Sequence, residues 1–337
     1  MGNGFFCSLE RDSLRSSLRQ ALRAVRCAAT VKAAARSRFR LVPRPLVMVW
    51  EATDRCNGAC SYCRFAGNRC ANGRDLDTTE IKRILDDACS LGLFGLVVSG
   101  GEPLLRDDLR VVINHARRRG LWVSLTTNGT LLQGLPVENL AHCQHLTISV
   151  DSTNPDVYAR RRGIDRFYAV RNALDRVLSF PHSPVTHVQA VLDSSNWRTI
   201  TDLNEYFHAR GADTVFQLRH GERFCIDVAE WRRRVNRLLF HSGVLGWVQR
   251  RFLSLFPGIA SGRSAPPCLA LTSNFLISAD GLLLHCNFRR EPLADLRRES
   301  LTDAWLRLGT ERRRVRTAAE SCVCANTCFM IPALLLS

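Results

Sequence analysis

Short apolar runs recur between residues 45 and 218, and segments with helical periodicity separate them. Runs of this length that are rich in Val, Ile, Leu and aromatic residues are typical of buried strands. The pattern predicts six strands, at residues 45–53, 93–99, 121–127, 145–150, 185–192 and 213–218.

The intervening segments place apolar residues three and four positions apart, which is the spacing of an amphipathic helix. They cover residues 78–92, 106–120, 166–180 and 196–211. In the first, Thr78 is the expected cap and Ile81, Ile84 and Leu85 follow at helical spacing. Strands that alternate with helices predict a parallel α/β sheet, either open or rolled into part of a barrel.

The pattern changes after residue 222. Residues 229–256 read as one long amphipathic helical region, and "PGIASGRSAPP" reads as a linker. A hairpin with an Ala-Asp-Gly turn is expected within residues 274–286. The predicted organisation is a basic helix at 1–44, an α/β core at 45–222, a helical region with a linker at 223–267, and a small cysteine-rich module at 268–337.

The composition is that of a globular chain, with 46% hydrophobic and 23% charged residues over 337 positions. The formal net charge is +16, and residues 1–45 hold ten Lys or Arg residues against two acidic ones. A basic helix can bind an acidic leader peptide or rest weakly on an anionic membrane surface, and a solvated face is the simpler interpretation. No nucleic-acid partner is expected.

Fourteen cysteines occur in a sequence without a secretory signal or a run long enough to span a membrane. This combination indicates a reducing, cytoplasmic location, where clustered thiols more often bind metals than form disulfides. Two groups stand out, one at residues 56–63 and one at residues 322–328, with Cys268 and Cys286 between them.

The first group, C-N-G-A-C-S-Y-C, places Cys56, Cys60 and Cys63 directly after the first predicted strand. Three thiols are one too few for a structural zinc site, unless a fourth ligand comes from elsewhere. Thiolates are the usual ligands of iron–sulfur clusters. Three of them can hold three irons of a [4Fe-4S] cluster and leave the fourth iron open to an exogenous ligand, which is the favoured interpretation.

This C-x3-C-x2-C spacing, with Tyr62 before the last cysteine, resembles the radical S-adenosylmethionine (radical SAM) superfamily. The resemblance implies a (β/α)6 partial barrel over roughly residues 45–220. It also implies that the open iron chelates SAM, and that reductive cleavage yields a 5′-deoxyadenosyl radical that abstracts hydrogen from a substrate. A low-potential electron donor such as flavodoxin or ferredoxin is the implied partner.

Three further segments match that family in the expected order, each after a predicted strand: "SGGEPLLR", "SLTTNGT" and "TISVDS". Because strand ends of a parallel sheet meet at one edge, these segments are expected to converge on the cysteines. The resemblance implies SAM contacts from Tyr62, Gly100, Gly101, Glu102, Thr126, Asn128, Ser149 and Asp151. Within this set, the glycines would admit the ligand close to the backbone, and Glu102 would accept from its ammonium group.

The later cysteines resemble the SPASM or shorter twitch extension of the same superfamily. Five thiols are too few for two cubanes, so one auxiliary [4Fe-4S] cluster is expected. Its implied ligands are Cys268, Cys286, Cys324 and Cys328, with Cys322 as a possible substitute. A zinc site is the alternative at this position.

The sequence therefore predicts a radical SAM enzyme that matures a ribosomally made peptide. The alternative is radical oxidation or rearrangement of a small molecule such as a sugar, alcohol or isoprenoid. A non-catalytic metal-binding or nucleic-acid-binding protein is the third interpretation, and the Gly-Gly-Glu-Pro segment beside three cysteines argues against it. No individual acid or base is identified as catalytic from sequence.

Overall fold

The computed structural model describes residues 44–68, 73–140, 142–181, 183–241, 243–264 and 270–309. Within these ranges one sheet holds nine strands in the order β6-β5-β4-β3-β2-β1-β7-β8-β9. The strands are β1 Val47–Glu51, β2 Gly95–Ser99, β3 Trp122–Thr127, β4 His145–Ser149, β5 Val185–Leu192, β6 Asp213–Leu218, β7 Asn274–Ile277, β8 Leu282–Leu284 and β9 Ala294–Asp295.

The helices of the described residues lie mainly between these strands. They are α1 Thr78–Ser90, α2 Leu109–Arg118, α3 Pro155–Arg162, α4 Phe167–Ser179, α5 Ile200–His208, α6 Val228–Arg237, α7 Gly243–Ser254, α8 Phe256–Ala260 and α9 Leu301–Arg307. None of the helices in this described part combines the length and apolarity that a membrane crossing requires.

The six predicted strands all form, and each lies parallel to its neighbour from β1 through β6. The prediction of a parallel α/β sheet is confirmed. Parallel pairing brings the carboxyl ends of these strands to one edge, which is where the cysteine loop follows β1.

The predicted hairpin also forms, since β7 and β8 pair antiparallel and Gly281 in the turn has a φ of 93°. Its first strand pairs in parallel with β1 on the side away from β2. The described part of the cysteine-rich region is therefore continuous with the main sheet. The basic helix was predicted at residues 1–44. Residues 1–43 lie outside the described residues, so this helix stays a prediction.

Two local expectations were wrong. Asp77, and not Thr78, caps α1, because the Asp77 side chain accepts from the Thr79 and Glu80 amides and the Glu80 side chain accepts from the Asp77 amide, a capping box. The predicted helical region at 229–256 forms as two helices, α6 and α7. The predicted linker starts as helix, because Pro257 lies in the first turn of α8, where proline is tolerated.

The two faces of the sheet differ in chemistry. One face packs its apolar side chains against the helices, with members such as Leu96, Val98, Leu125, Ile148 and Val188 all buried. The opposite face, called here the polar face, carries Ser124, Thr126, His145, Thr147, Ser149, His187 and Gln189. Because unpaired polar groups are costly away from water, the buried side chains of the polar face need hydrogen bonds within the protein.

Two histidines provide such bonds on the polar face. The Ser124 hydroxyl lies 2.8 Å from Nδ1 of His145, and Nε2 of His145 is hydrogen bonded to Nδ1 of His187. Trp122 stacks on His145 with ring centroids 5.6 Å apart. Burial, with a smaller contribution from His187, lowers the pKa of His145 from 6.5 to about 3. His145 is therefore neutral at neutral pH.

We expect this neutral histidine to make the fold acid-sensitive. Between the unfolded pKa of 6.5 and the folded value of about 3, the unfolded chain binds a proton that folded His145 does not. The free energy of unfolding should therefore fall as the pH drops below about 6.5, with a slope of up to about 1.4 kcal/mol per pH unit from this group. Urea unfolding measured from about pH 7 to about pH 5 tests this slope.

His145→Gln should flatten the pH dependence whatever it does to the stability at neutral pH. His142→Gln serves as the matched control, because His142 is exposed and its removal should leave the slope unchanged. An equal slope in the wild type and in His145→Gln would contradict the assignment.

Candidate active site

The loop that carries Cys56, Cys60 and Cys63 is anchored on the end of helix α3. The Ala59 amide donates to the Arg162 carbonyl and the Ser61 amide donates to the Arg161 carbonyl, both at 3.0 Å. These carbonyls belong to the last turn of α3, whose carbonyl groups have no partner within the helix. The cysteine loop therefore supplies the partners that this helix end needs.

Gly163 makes this docking possible. It caps α3 in the left-handed conformation with a φ of 62°. A Cβ at this position would lie 2.6 Å from the carbonyl oxygen of Ala59 and 2.7 Å from its Cβ. Both the conformation and the contact with the loop require glycine.

Gly100 and Gly101 hold the other side of the loop. The Gly101 amide donates to the Thr53 carbonyl at 2.8 Å, and the Glu102 amide donates to the Arg55 carbonyl at 2.9 Å. A Cβ on Gly101 would lie 2.1 Å from the Arg55 carbonyl oxygen. The two glycines thus admit the cysteine loop close to their backbone, in addition to bordering the cavity described below.

The carboxylate of Glu102 ties the β2 and β3 ends together. It accepts from the Thr127 hydroxyl at 2.6 Å, from the Asn128 amide at 2.7 Å and from the Leu104 amide at 3.1 Å. The side chain is fully buried, and this burial raises the pKa of the carboxyl while the three hydrogen bonds oppose the rise. Through these bonds the buried Glu102 carboxylate fixes the positions of the β2 and β3 ends at the rim.

Asp151 has a comparable place at the end of β4. One carboxylate oxygen accepts from the Tyr62 hydroxyl and from the Arg162 guanidinium, and the other accepts from the Val191 amide at 2.9 Å. Arg162 also donates to the Tyr62 hydroxyl at 2.8 Å. Burial, as the largest cause, raises the pKa of Tyr62 well above its ordinary value, so the phenol stays protonated and donates to Asp151.

A cavity of about 160 Å³ opens at this rim, between the cysteine loop and the strand ends. All three cysteines and six of the eight predicted SAM-contacting residues line it. The six are Tyr62, Gly100, Gly101, Thr126, Asn128 and Ser149. Glu102 and Asp151 do not line it, and their side chains lie behind its wall in the networks just described.

Among the seven lining residues that the sequence reasoning did not name, Gln189 and Arg162 have long polar side chains. Gln189 is the register partner of Ser149 on the polar face, and its polarity within the run "VTHVQAVL" was an available signal. Arg162 is the last of three consecutive arginines at the end of α3, and its side chain is buried. No sequence signal separates Arg162 from its exposed or half-exposed neighbours.

The segment after Cys286 reaches the same end of β1. Arg290 donates to both carboxylate oxygens of Glu51 at 2.8 Å, and Arg64, next to Cys63, bonds to the same carboxylate. Cys286 follows β8 and is partly buried. The other predicted ligands of the auxiliary cluster, Cys268, Cys322, Cys324 and Cys328, lie outside the described residues, so this cluster stays a prediction.

The fold and the rim define a class of protein: a parallel α/β barrel-type sheet with three cysteines, a Gly-Gly turn and polar strand ends around one cavity. Residues 50–206 match the family described as the Radical SAM superfamily. Residues 50–206 are therefore similar to radical SAM domains.

Two curated relatives and one solved structure illustrate the similarity. The AdoMet-dependent heme synthase of Methanosarcina barkeri is 36% identical over 137 residues, which are 40% of this chain and 38% of that protein. The PqqA peptide cyclase of Ruegeria pomeroyi is 29% identical over 231 residues, 68% of this chain and 56% of that protein. The chain thus spans about half or less of these relatives.

The solved structure is Streptococcus suis SuiB bound to precursor peptide SuiA, at 17% identity and a TM-score of 0.60. The match covers 84% of this chain and 68% of that one. At this identity the likeness concerns the fold, and it agrees with the predicted partial barrel.

The Gly163 contact generates a test of the loop anchor. Gly163→Ala should cost about 1–2 kcal/mol for the left-handed backbone and should also push the cysteine loop away from α3. We expect lower iron binding after anaerobic reconstitution, measured as iron per folded chain.

Gly120→Ala is the matched control. Gly120 has a φ of 83°, but a Cβ there meets nothing within 4 Å, so its variant carries the backbone cost alone. Equal iron content in the two variants would show that the contact with Ala59 does not position the cysteines.

Proposed function

We propose that the chain is a radical SAM enzyme whose Cys56, Cys60 and Cys63 bind a [4Fe-4S] cluster and that it matures a ribosomally made peptide. The observation that carries the first part is the convergence of three thiols on one cavity with the polar ends of β2, β3, β4 and β5. Thiolates are the donors that such a cluster takes, and three of them leave one iron for SAM.

These cysteines can serve as cluster ligands because metal binding removes their protons. Burial, as the main cause, raises the pKa of Cys56 to about 11 and also raises the pKa of Cys60. Without metal these groups are therefore thiols, and ligation to iron releases their protons. If Cys56, Cys60 and Cys63 hold the cluster, it would supply the chemistry for reductive cleavage of SAM, with the electron coming from an external low-potential donor.

The other lining residues provide a binding surface for an amino-acid nucleoside such as SAM. Arg162 is a fixed cation, held by Asp151 and Tyr62, and a guanidinium in this position suits a carboxylate group. Ser149 and Gln189 offer neighbouring hydroxyl and amide groups on the polar face, which suit hydroxyl-bearing ligands. Glu102 and Asp151 act as positioning residues behind this surface.

The peptide assignment rests on three observations. A curated relative carries the name PqqA peptide cyclase, and the SuiB structure holds a precursor peptide. The net charge of +16 also favours an acidic peptide and an acidic electron-donor protein such as flavodoxin or ferredoxin. The cysteine content favours a reducing, cytoplasmic location.

A small-molecule substrate is the second candidate. It is favoured by the relative named AdoMet-dependent heme synthase, whose name specifies a non-peptide product. Both candidates share the proposed cluster and its chemistry, so they differ only in the molecule that donates hydrogen.

Cysteine variants test the cluster assignment. Cys56→Ala, Cys60→Ala and Cys63→Ala should each lose about four irons per chain and all reductive formation of 5′-deoxyadenosine. Cys286→Ala should lose iron from the predicted auxiliary cluster and still form 5′-deoxyadenosine. Iron analysis and chromatography of dithionite-reduced reactions give both readouts.

Cys225→Ser is the control, because Cys225 is exposed and does not line the cavity. The cluster assignment would be wrong if the three loop variants kept the iron content and the activity of this control.

Isotope transfer distinguishes the two substrate classes. A deuterated candidate precursor peptide should pass deuterium into 5′-deoxyadenosine, and mass spectrometry should show that the peptide has lost this deuterium. Label that arrives only from a deuterated small-molecule fraction of a cell extract would reject the peptide and favour the second candidate. The Cys60→Ala variant gives the background.

A further inference from the structure

A second group of potential metal ligands lies at the start of β6, among residues that do not line the cavity. It consists of His208, the last residue of α5, Asp213, the first residue of β6, and His241, in the segment after α6. One potential ligand atom from each residue lies within 4.8 Å of the other two. This group is named the His-Asp-His cluster.

The distances within the His-Asp-His cluster are close to those of a coordination sphere. Nδ1 of His241 lies 3.0 Å from Oδ1 of Asp213, and Nδ1 of His208 lies 3.9 Å from the same oxygen. Ligands bonded at about 2.0–2.1 Å in a tetrahedral zinc site are about 3.3–3.4 Å apart. The two imidazoles stack with ring centroids 3.9 Å apart, so metal binding requires the rings to rotate until both Nδ1 atoms face one ion beside Asp213.

The surrounding structure holds the His-Asp-His cluster in place. Asn204, one helical turn before His208 and fully buried, accepts from the Leu239 amide at 2.6 Å and donates to the Leu239 carbonyl at 2.9 Å. These two hydrogen bonds hold the segment that carries His241 against α5. The His241 amide also donates to Asp213 at 2.9 Å.

One ligand atom in this cluster lacks a partner. Nδ1 of His208 is hidden from solvent and makes no hydrogen bond to any residue in the described part of the chain. Buried polar atoms are normally satisfied, so an unpartnered nitrogen that faces a carboxylate and a second imidazole points to an absent ligand. The exposed side of His241 leaves a route from solvent.

We propose that His208, Asp213 and His241 bind a divalent transition-metal ion, with zinc as the best chemical match. Two imidazoles and one carboxylate are a borderline-soft donor set that suits zinc better than calcium or magnesium. The end of α5 also favours a cation, because the helix dipole is negative there. Solvent would supply the fourth ligand.

The ion would have a structural role. Strand β6 is one end of the sheet, with β5 as its only strand neighbour among the described residues. A metal bound by His208, Asp213 and His241 cross-links this edge strand to α5 and to the segment after α6. Binding to the folded state alone would stabilise it.

Zinc titration of the reconstituted full-length protein tests the proposal, compared with His208→Gln and His241→Gln. The wild type should bind one more zinc per chain than either variant. Loss of a ligand should weaken binding by more than the ~10–100-fold that removal of an outer partner of a ligand costs. His142→Gln, an exposed histidine elsewhere, should bind zinc like the wild type.

X-ray absorption at the zinc edge separates this site from zinc on the cysteines, and the iron clusters do not interfere. The extra zinc should show nitrogen and oxygen ligands at about 2.0–2.1 Å, whereas thiolate ligands lie at about 2.3 Å. Equal zinc binding by the wild type and both variants, or a purely sulfur environment, would overturn the proposal. His241→Gln keeps the test informative even if His208→Gln disturbs α5, because 46% of the His241 side chain is exposed and it lies outside that helix.

Discussion

Close backbone packing around the cysteine loop is the constraint on which the rest of the site depends. The loop lies against the end of α3 on one side and against the turn after β2 on the other. At Gly163 and at Gly101 a single Cβ would collide with a loop carbonyl, at Ala59 and Arg55 respectively. The positions of the three thiols are therefore set by direct contacts between the backbone of the loop and these two glycines.

Buried charges then join this loop to the strand ends. Glu102 and Asp151 are both almost fully buried, and each accepts three hydrogen bonds. Such groups are costly unless every partner is in place, so a satisfied network holds its members in one arrangement. Through Arg162 and Tyr62, Asp151 connects α3, β4 and the cysteine motif. These hydrogen bonds thus hold the rim together without any ligand, which favours precise placement of reacting groups.

The strands were predictable because each is a short apolar run with a clear boundary. The ends of the strands were predictable as a site because parallel pairing gathers them at one edge. Helix α3 was missed because its sequence, "PDVYARRR", has little helical periodicity and buries only Tyr158 and Arg162. Residues whose role depends on tertiary contacts could therefore not be recognised from the sequence. Arg162, for example, reaches the cavity because the cysteine loop docks on its helix. The inward turn of Glu102 toward Thr127 likewise depends on the β2–β3 register, which sequence spacing does not specify.

The central claim is that three thiols hold a cluster with one iron open to SAM. Electron paramagnetic resonance of the dithionite-reduced, reconstituted protein tests it most directly, with SAM labelled by nitrogen-15 at the amino group and oxygen-17 at the carboxylate. The account predicts that SAM changes the cluster signal and that both labels show hyperfine coupling to it. A signal that is the same with and without SAM, and no coupling to either label, would contradict it.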